Sequence, residues 1–151
     1  MSLFDPEAFL STTTTEANEK RPPLPVEEYL AVIGKPTARQ SQGKKDPTKT
    51  YTFIDVPLTI EVPADLQGAM SLPPNVKVTD SFILDLTDAG SLDMSPGKNG
   101  GMRRYREALG MNRPGEAFSL AQMEGNAVRV RIKHELYNEE IQERVGGVAK
   151  P

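Results

Sequence analysis

The chain has no cysteine and only one histidine, His134. Without cysteine there is no disulfide and no thiolate-bound zinc, and a lone histidine excludes a histidine-rich metal centre. No run of 18 or more apolar residues occurs, so no transmembrane helix is expected. The opening stretch lacks a basic start followed by an apolar segment, the form of a secretory signal. A cytoplasmic protein is expected, in the host cytoplasm if the source is viral, since the absence of cysteine suits a reducing compartment. The glycine-rich stretch Pro96–Gly101 lacks the GxxxxGK[ST] form, so nucleotide hydrolysis is not supported. Asp85, Asp88 and Asp93 lie close in sequence, but their spacing does not match a calcium loop and turn formation accounts for them. These absences point to a binding protein, not an enzyme, with no cofactor and no metal.

What is present is a chain of 151 residues, enough for one domain with its own core. Apolar residues make up 37% and charged residues 26%, while 13 Pro and 12 Gly require loop or tail. The net charge of −3 is unevenly spread: Pro96–Pro151 holds ten basic and seven acidic residues, leaving the remainder acidic. A basic, arginine-rich final third can hold a polyanion locally, or its charges can simply solvate a surface. Residues 1–24 read as a flexible N-terminal tail, with Ser11–Thr15 polar and Pro22, Pro23 and Pro25 forcing an extended entry to a domain over 25–151. Within the tail, Asp5–Leu10 could form one helical turn that docks Phe4, Phe9 and Leu10 on the body or on a partner.

Four strand-like regions and a closing return strand follow. The first covers Tyr29–Ile33, halts at Gly34-Lys35-Pro36 and can resume through Arg39 and Gln40; Ser41–Lys49 reads as a long hairpin loop. The second, Tyr51–Val62, places Ile54, Val56, Leu58, Ile60 and Val62 on one parity, a period-two signal for one buried face. Pro57 on the outward parity calls for an edge or a bulge. The third, Val76–Thr87, groups Val76, Val78, Phe82, Leu84 and Leu86. A helix is expected over Met102–Leu109, closed by Gly110, and a shorter one over Ser119–Glu124, stopped by Gly125. Ala127–Tyr137 alternates Val128, Val130, Ile132 and Leu136 against Arg129, Arg131, Lys133, Glu135 and Tyr137. Asn138-Glu139-Glu140 then turns the chain into Ile141–Val148.

Five strands with one helix between the third and fourth is the chain order of an OB-fold, a mainly β, partly open Greek-key barrel. The segment Ser95–Val148 also resembles phage-encoded proteins found beside replication and recombination genes. The pattern is GKNGGMRRYREALGM, a spacer, then AVRVRIKHELYNEEIQERVGGVAKP, about a third of the chain. The resemblance implies a viral single-stranded-DNA-binding or replication-accessory role, with replication or recombination proteins as partners, and carries over no catalytic residue. The chain departs from many such binders in ending on Gly146–Pro151 instead of an acidic tail.

Non-specific nucleic-acid binding needs cations that track phosphates and aromatic faces on which bases stack. Arg129, Arg131 and Lys133 recur at spacing two and lead to Tyr137, so one strand face offers both. Tyr51 and Phe53 on the second strand's outward parity serve either for stacking or as contacts for the tail. Lys98, Arg103 and Arg104 beside the glycine loop read as a phosphate clamp or as ordinary surface charges on an amphipathic helix, with Tyr105 in the core. His134, between Ile132 and Leu136, reads as a satisfied, partly buried side chain. The resulting expectation is a non-sequence-specific single-stranded DNA binder without membrane contact, and able to oligomerise. The alternative is a phage protein-interaction or virion-associated β-domain without nucleic-acid contact, using the tail as an arm.

Overall fold

A computed structural model describes residues 4–151. Among them, six strands form one antiparallel sheet: β1 (Glu28–Ile33), β2 (Thr37–Gln42), β3 (Thr50–Glu61), β4 (Asn75–Leu84), β5 (Ala127–Tyr137) and β6 (Glu140–Ala149). The helices are α1 (Pro6–Ser11), α2 (Ala64–Met70) and α3 (Gly100–Ala108), with a 3₁₀ turn at Leu120–Met123. Among the described residues no helix is long and apolar enough to cross a membrane.

The sheet runs β2-β3-β1-β5-β6, with β4 on the other edge of β3. β1 and β2 are two halves of one bent path along β3. Ile33 lies opposite Leu58 and Thr37 opposite Asp55, so the break at Gly34–Pro36 faces Pro57. That break answers the missing N–H of Pro57, which leaves a ladder position nothing can fill. Gly34 donates its N–H to the Pro57 carbonyl at 2.7 Å, and a Cβ on Gly34 would stand 2.9 Å from Pro57 Cγ.

The expected five-stranded barrel is corrected in two respects. The first strand is split in two by the Pro57 irregularity, and the sheet stays open, because no ladder joins β4 to β6 among the described residues. The helix between the third and fourth long strands is present as α3, closed by Gly110 at φ +69°. α2 follows β3 without a period that marks it in sequence, being only seven residues long and containing Gly68.

The core lies on the inward parities: Tyr29, Ala31 and Ile33 from β1, Ile54, Val56, Leu58 and Ile60 from β3 with Val62 just after it, and Val128, Val130 and Ile132 from β5. Tyr105 and Met102 of α3 close it, as does Leu24, which is fully buried. Burial of these groups stabilises the fold by roughly 1.5–3 kcal/mol for each large apolar side chain. The alternation fails at Leu136, which is 74% exposed, since β5 and β6 extend there beyond the rest of the sheet. Leu136, Tyr137 and Ile141 therefore form an exposed hairpin tip, turned by Asn138 and Glu139 in the left-handed region.

Candidate nucleic-acid interface

The outward face of β3 carries Tyr51 and Phe53, and its neighbours complete a platform. Arg39 of β2 lies opposite Phe53, and Ile83 of β4 flanks it on the other side. The Arg39 guanidinium sits 4.6 Å from the Phe53 ring centroid while its Nε donates to Asp55 Oδ2 at 2.8 Å. The Ser81 hydroxyl also donates to Asp55, and this bond, helped by Arg39 against the effect of burial, holds that carboxyl below its ordinary range. Asp55 thus stays ionised and holds Arg39 over the ring. Tyr51 is 37% exposed. Phe53 is covered in part by Arg39, and every residue of α1 is exposed.

The loop between β2 and β3 borders this platform. Gly43 N–H donates to the Lys49 carbonyl and Lys49 N–H to the Asp46 carbonyl, closing a compact turn. Asp46 accepts from the backbone and hydroxyl of Thr48, whose hydroxyl is the larger cause lowering its pKa. Lys44, Lys45 and Lys49 make no ion pair among the described residues. Arg39 and these lysines escape sequence reading, because a loop rich in Lys, Gly and Pro reads as a solvated turn until the strands place it beside two aromatic rings.

The β5 cations are placed as their alternation requires: Arg129, Arg131 and Lys133 are exposed while Val128, Val130 and Ile132 are buried. Two make no ion pair among the described residues, although Glu28 stands cross-strand from Arg131. Lys133 Nζ pairs with Glu135 at 3.0 Å, whereas Arg129 and Arg131 have no acidic partner among the described residues. Arg131 lies over Gly147 and donates from Nη2 to the Gly146 carbonyl at 3.1 Å. These cations do not share a floor with Tyr51 and Phe53. Strand β1 separates β5 from β3, and Arg129 sits level with Leu30, beside the Ala31–Ile60 pair. That leaves Tyr51 about 30 Å away along the sheet. Tyr137 lies farther still, at the hairpin tip.

The phosphate clamp is not assembled as expected. Arg104 turns inward, with Nη2 2.9 Å from Asp80 Oδ2, and Asp80 also accepts from the Tyr105 hydroxyl at 2.7 Å. Burial, followed by the charge and hydrogen bond of Asp80, raises the Tyr105 pKa, so the phenol stays protonated as a donor. Arg104 therefore serves the core, compensating a buried carboxylate. Arg103 pairs with Glu107 at 3.4 Å along the helix. Lys98 and Arg103, with Arg106, line a small 180 Å³ depression. Asn99, the residue before α3, is not a ligand either: its amide donates to the carbonyls of Asp85 and Asp93, tying down the preceding loop.

A cleft of 610 Å³ lies where β4 and β6 fail to pair and is bordered by Lys20, Arg21 and Pro23. Here Glu143 accepts from Leu24 N–H at 2.7 Å and from Arg21, while His134 Nε2 donates to the Leu24 carbonyl at 2.6 Å. His134 is thus satisfied by backbone, as expected, although its residue is solvent-exposed. Among the described residues no cluster of His, Cys, Asp and Glu could hold a metal ion. Compared with known proteins, the chain matches no family model and no curated protein.

Proposed function

We propose that this chain binds single-stranded nucleic acid without sequence choice, by base stacking and phosphate contact on the outward face at the β2–β3 end. The observation that carries the proposal is Arg39 over the Phe53 ring beside exposed Tyr51, with Lys44, Lys45 and Lys49, which make no ion pair among the described residues, at the rim. A base needs a π-face and a phosphate needs a cation, and each base stack contributes about 1–3 kcal/mol. The strand order supports the same reading. Taking β1 and β2 as one bent strand, the path β4-β3-β1-β5-β6 with α3 before β5 is the OB-fold connectivity, opened between β4 and β6. In that fold the second and third strands and the first hairpin loop contact oligonucleotides. In this chain they are β3, β4 and the lysine loop. A place in phage replication or recombination follows only from the resemblance of Ser95–Val148.

The alternative of a protein-interaction domain draws on α1 and the residue before its cap, where Phe9 and Leu10, and Phe4, are exposed. Fluorescence anisotropy of a labelled single strand, with duplex as control, separates the two. Binding that prefers the single strand and weakens about tenfold in Tyr51→Ala or Phe53→Ala is expected. No binding at low salt would remove the proposal and leave the interaction reading.

A further inference from the structure

We infer that the interface is bipartite: one strand engages the Arg39–Tyr51–Phe53 platform and continues to Arg129 and Arg131 on the same molecule. The inference rests on the single-strand reading and specifies its footprint.

Both patches lie on the outward face of one sheet, and the ground between them is shaped to be crossed. Leu30 and Val32 of β1 point outward and line a 350 Å³ depression with Thr59 and Gln67. A second depression of 230 Å³, bounded by Glu28, Arg129, Arg131 and Gly147, adjoins it across the Leu30–Arg129 pair. Pro57, Thr59, Val32 and Leu30 are uncharged, and Glu61 at the edge of the first depression is the carboxylate the strand must pass. Asp55, between Phe53 and Pro57, is engaged by Arg39 and Ser81.

The far patch is prepared for a phosphate in a way that the adjacent Lys133 is not. The Gly146 carbonyl holds Arg131, and a Cβ on Gly146 would stand 3.5 Å from Arg131 Nε and 3.4 Å from Lys133 Cδ. Both side chains thus pack over Gly146 at ordinary contact distance. Arg129 and Arg131 remain without an ion pair among the described residues, while Lys133 and Arg144 both turn to Glu135. Two modest patches joined by a flexible strand gain affinity through effective concentration once the strand spans the gap. A separation of about 30 Å calls for a footprint of about eight to ten nucleotides, inside the ~4–16 range of single barrel modules.

The test is competition by oligothymidylates from about 4 to about 16 nucleotides, using the full chain, Arg129→Ala/Arg131→Ala and Tyr51→Ala/Phe53→Ala. Thermal unfolding checks that each variant is folded. For the full chain, affinity should climb with length and level off near ten nucleotides. Removing both arginines should leave the shortest oligomer within about twofold and weaken longer ones about tenfold, whereas the aromatic variant should weaken all lengths. An arginine variant that loses equally at every length, or at none, overturns the bipartite site while the single-strand reading survives. Absence of binding at any length in low salt overturns both.

Discussion

A Cβ on Gly101 would lie 2.4 Å from Phe82 Cβ and 2.6 Å from its Cγ, whereas one on Gly100 would meet nothing within 4 Å. Two adjacent glycines at the start of α3 therefore have different roles. Alanine normally favours a helix over glycine by up to about 1 kcal/mol. Gly100→Ala should follow that rule and stabilise by a few tenths to about 1 kcal/mol, while Gly101→Ala should destabilise by about 1–3 kcal/mol through overpacking against Phe82. Urea unfolding of the two variants checks this, and a Gly101→Ala protein as stable as the parent would remove the packing role. In sequence the pair looks like a loop that could cradle phosphate, because nothing in the run shows that β4 passes beneath it. Arg104 misleads similarly. Its partner Asp80 sits on the apolar parity of β4, the one signal in the sequence of a buried acid that needs a cation.

The strands were legible wherever a face is buried along its whole length. The alternation of β3 and the first half of β5 reports their inward faces directly, and the halt at Gly34–Pro36 marks the β1–β2 break. Leu136 keeps the alternation after the sheet has lost its inner layer, so pattern alone could not show the exposed tip. Leu24 is the reverse case, a single buried leucine between prolines, in a segment with no period to read. The strap it belongs to is held by Glu143, whose environment makes the contact acid-sensitive. Burial pushes the Glu143 carboxyl up, but the Arg21 hydrogen bond, the Leu24 N–H, and the charges of Arg21 and His134 outweigh it and hold the carboxyl below the ordinary 4.5. The folded group thus binds its proton less readily than the unfolded one. Its stabilisation is complete above the ordinary value and fades as pH falls through the depressed folded value. The Leu24 amide resonance, followed by NMR into acid, should shift as the strap contact is lost, and Glu143→Gln should remove that titration step. A Leu24 amide that stays fixed throughout the acid range would show that Glu143 does not hold the strap.

Across the whole molecule, total charge is readable from sequence but its partition is not. Arg129 and Lys133 stand four residues apart on one strand face, yet among the described residues only Lys133 forms an ion pair, because Glu135 reaches only the second. Likewise the strand order, which sets β1 between β3 and β5, divides cations from aromatics that the linear sequence suggests belong together. A molecule of net charge −3 gains nothing for a polyanion from its overall field. Attraction must come from the local groups within a screening length of about 8–10 Å, namely Lys44, Lys45, Lys49, Arg129 and Arg131. If these five meet phosphates, the logarithm of the binding constant should fall against the logarithm of salt with a slope of about −3 to −4, from about −0.7 per contact on single strands. Lys44→Ala/Lys45→Ala should reduce the steepness by about 1.4, and Arg129→Ala/Arg131→Ala by a similar amount on long oligomers only. Titrations across a salt series measure this. A slope near zero would mean that stacking acts without phosphate contact, and a steep slope unchanged by either pair would assign the phosphates to cations elsewhere, with those around Arg106 and Lys98 next to be replaced.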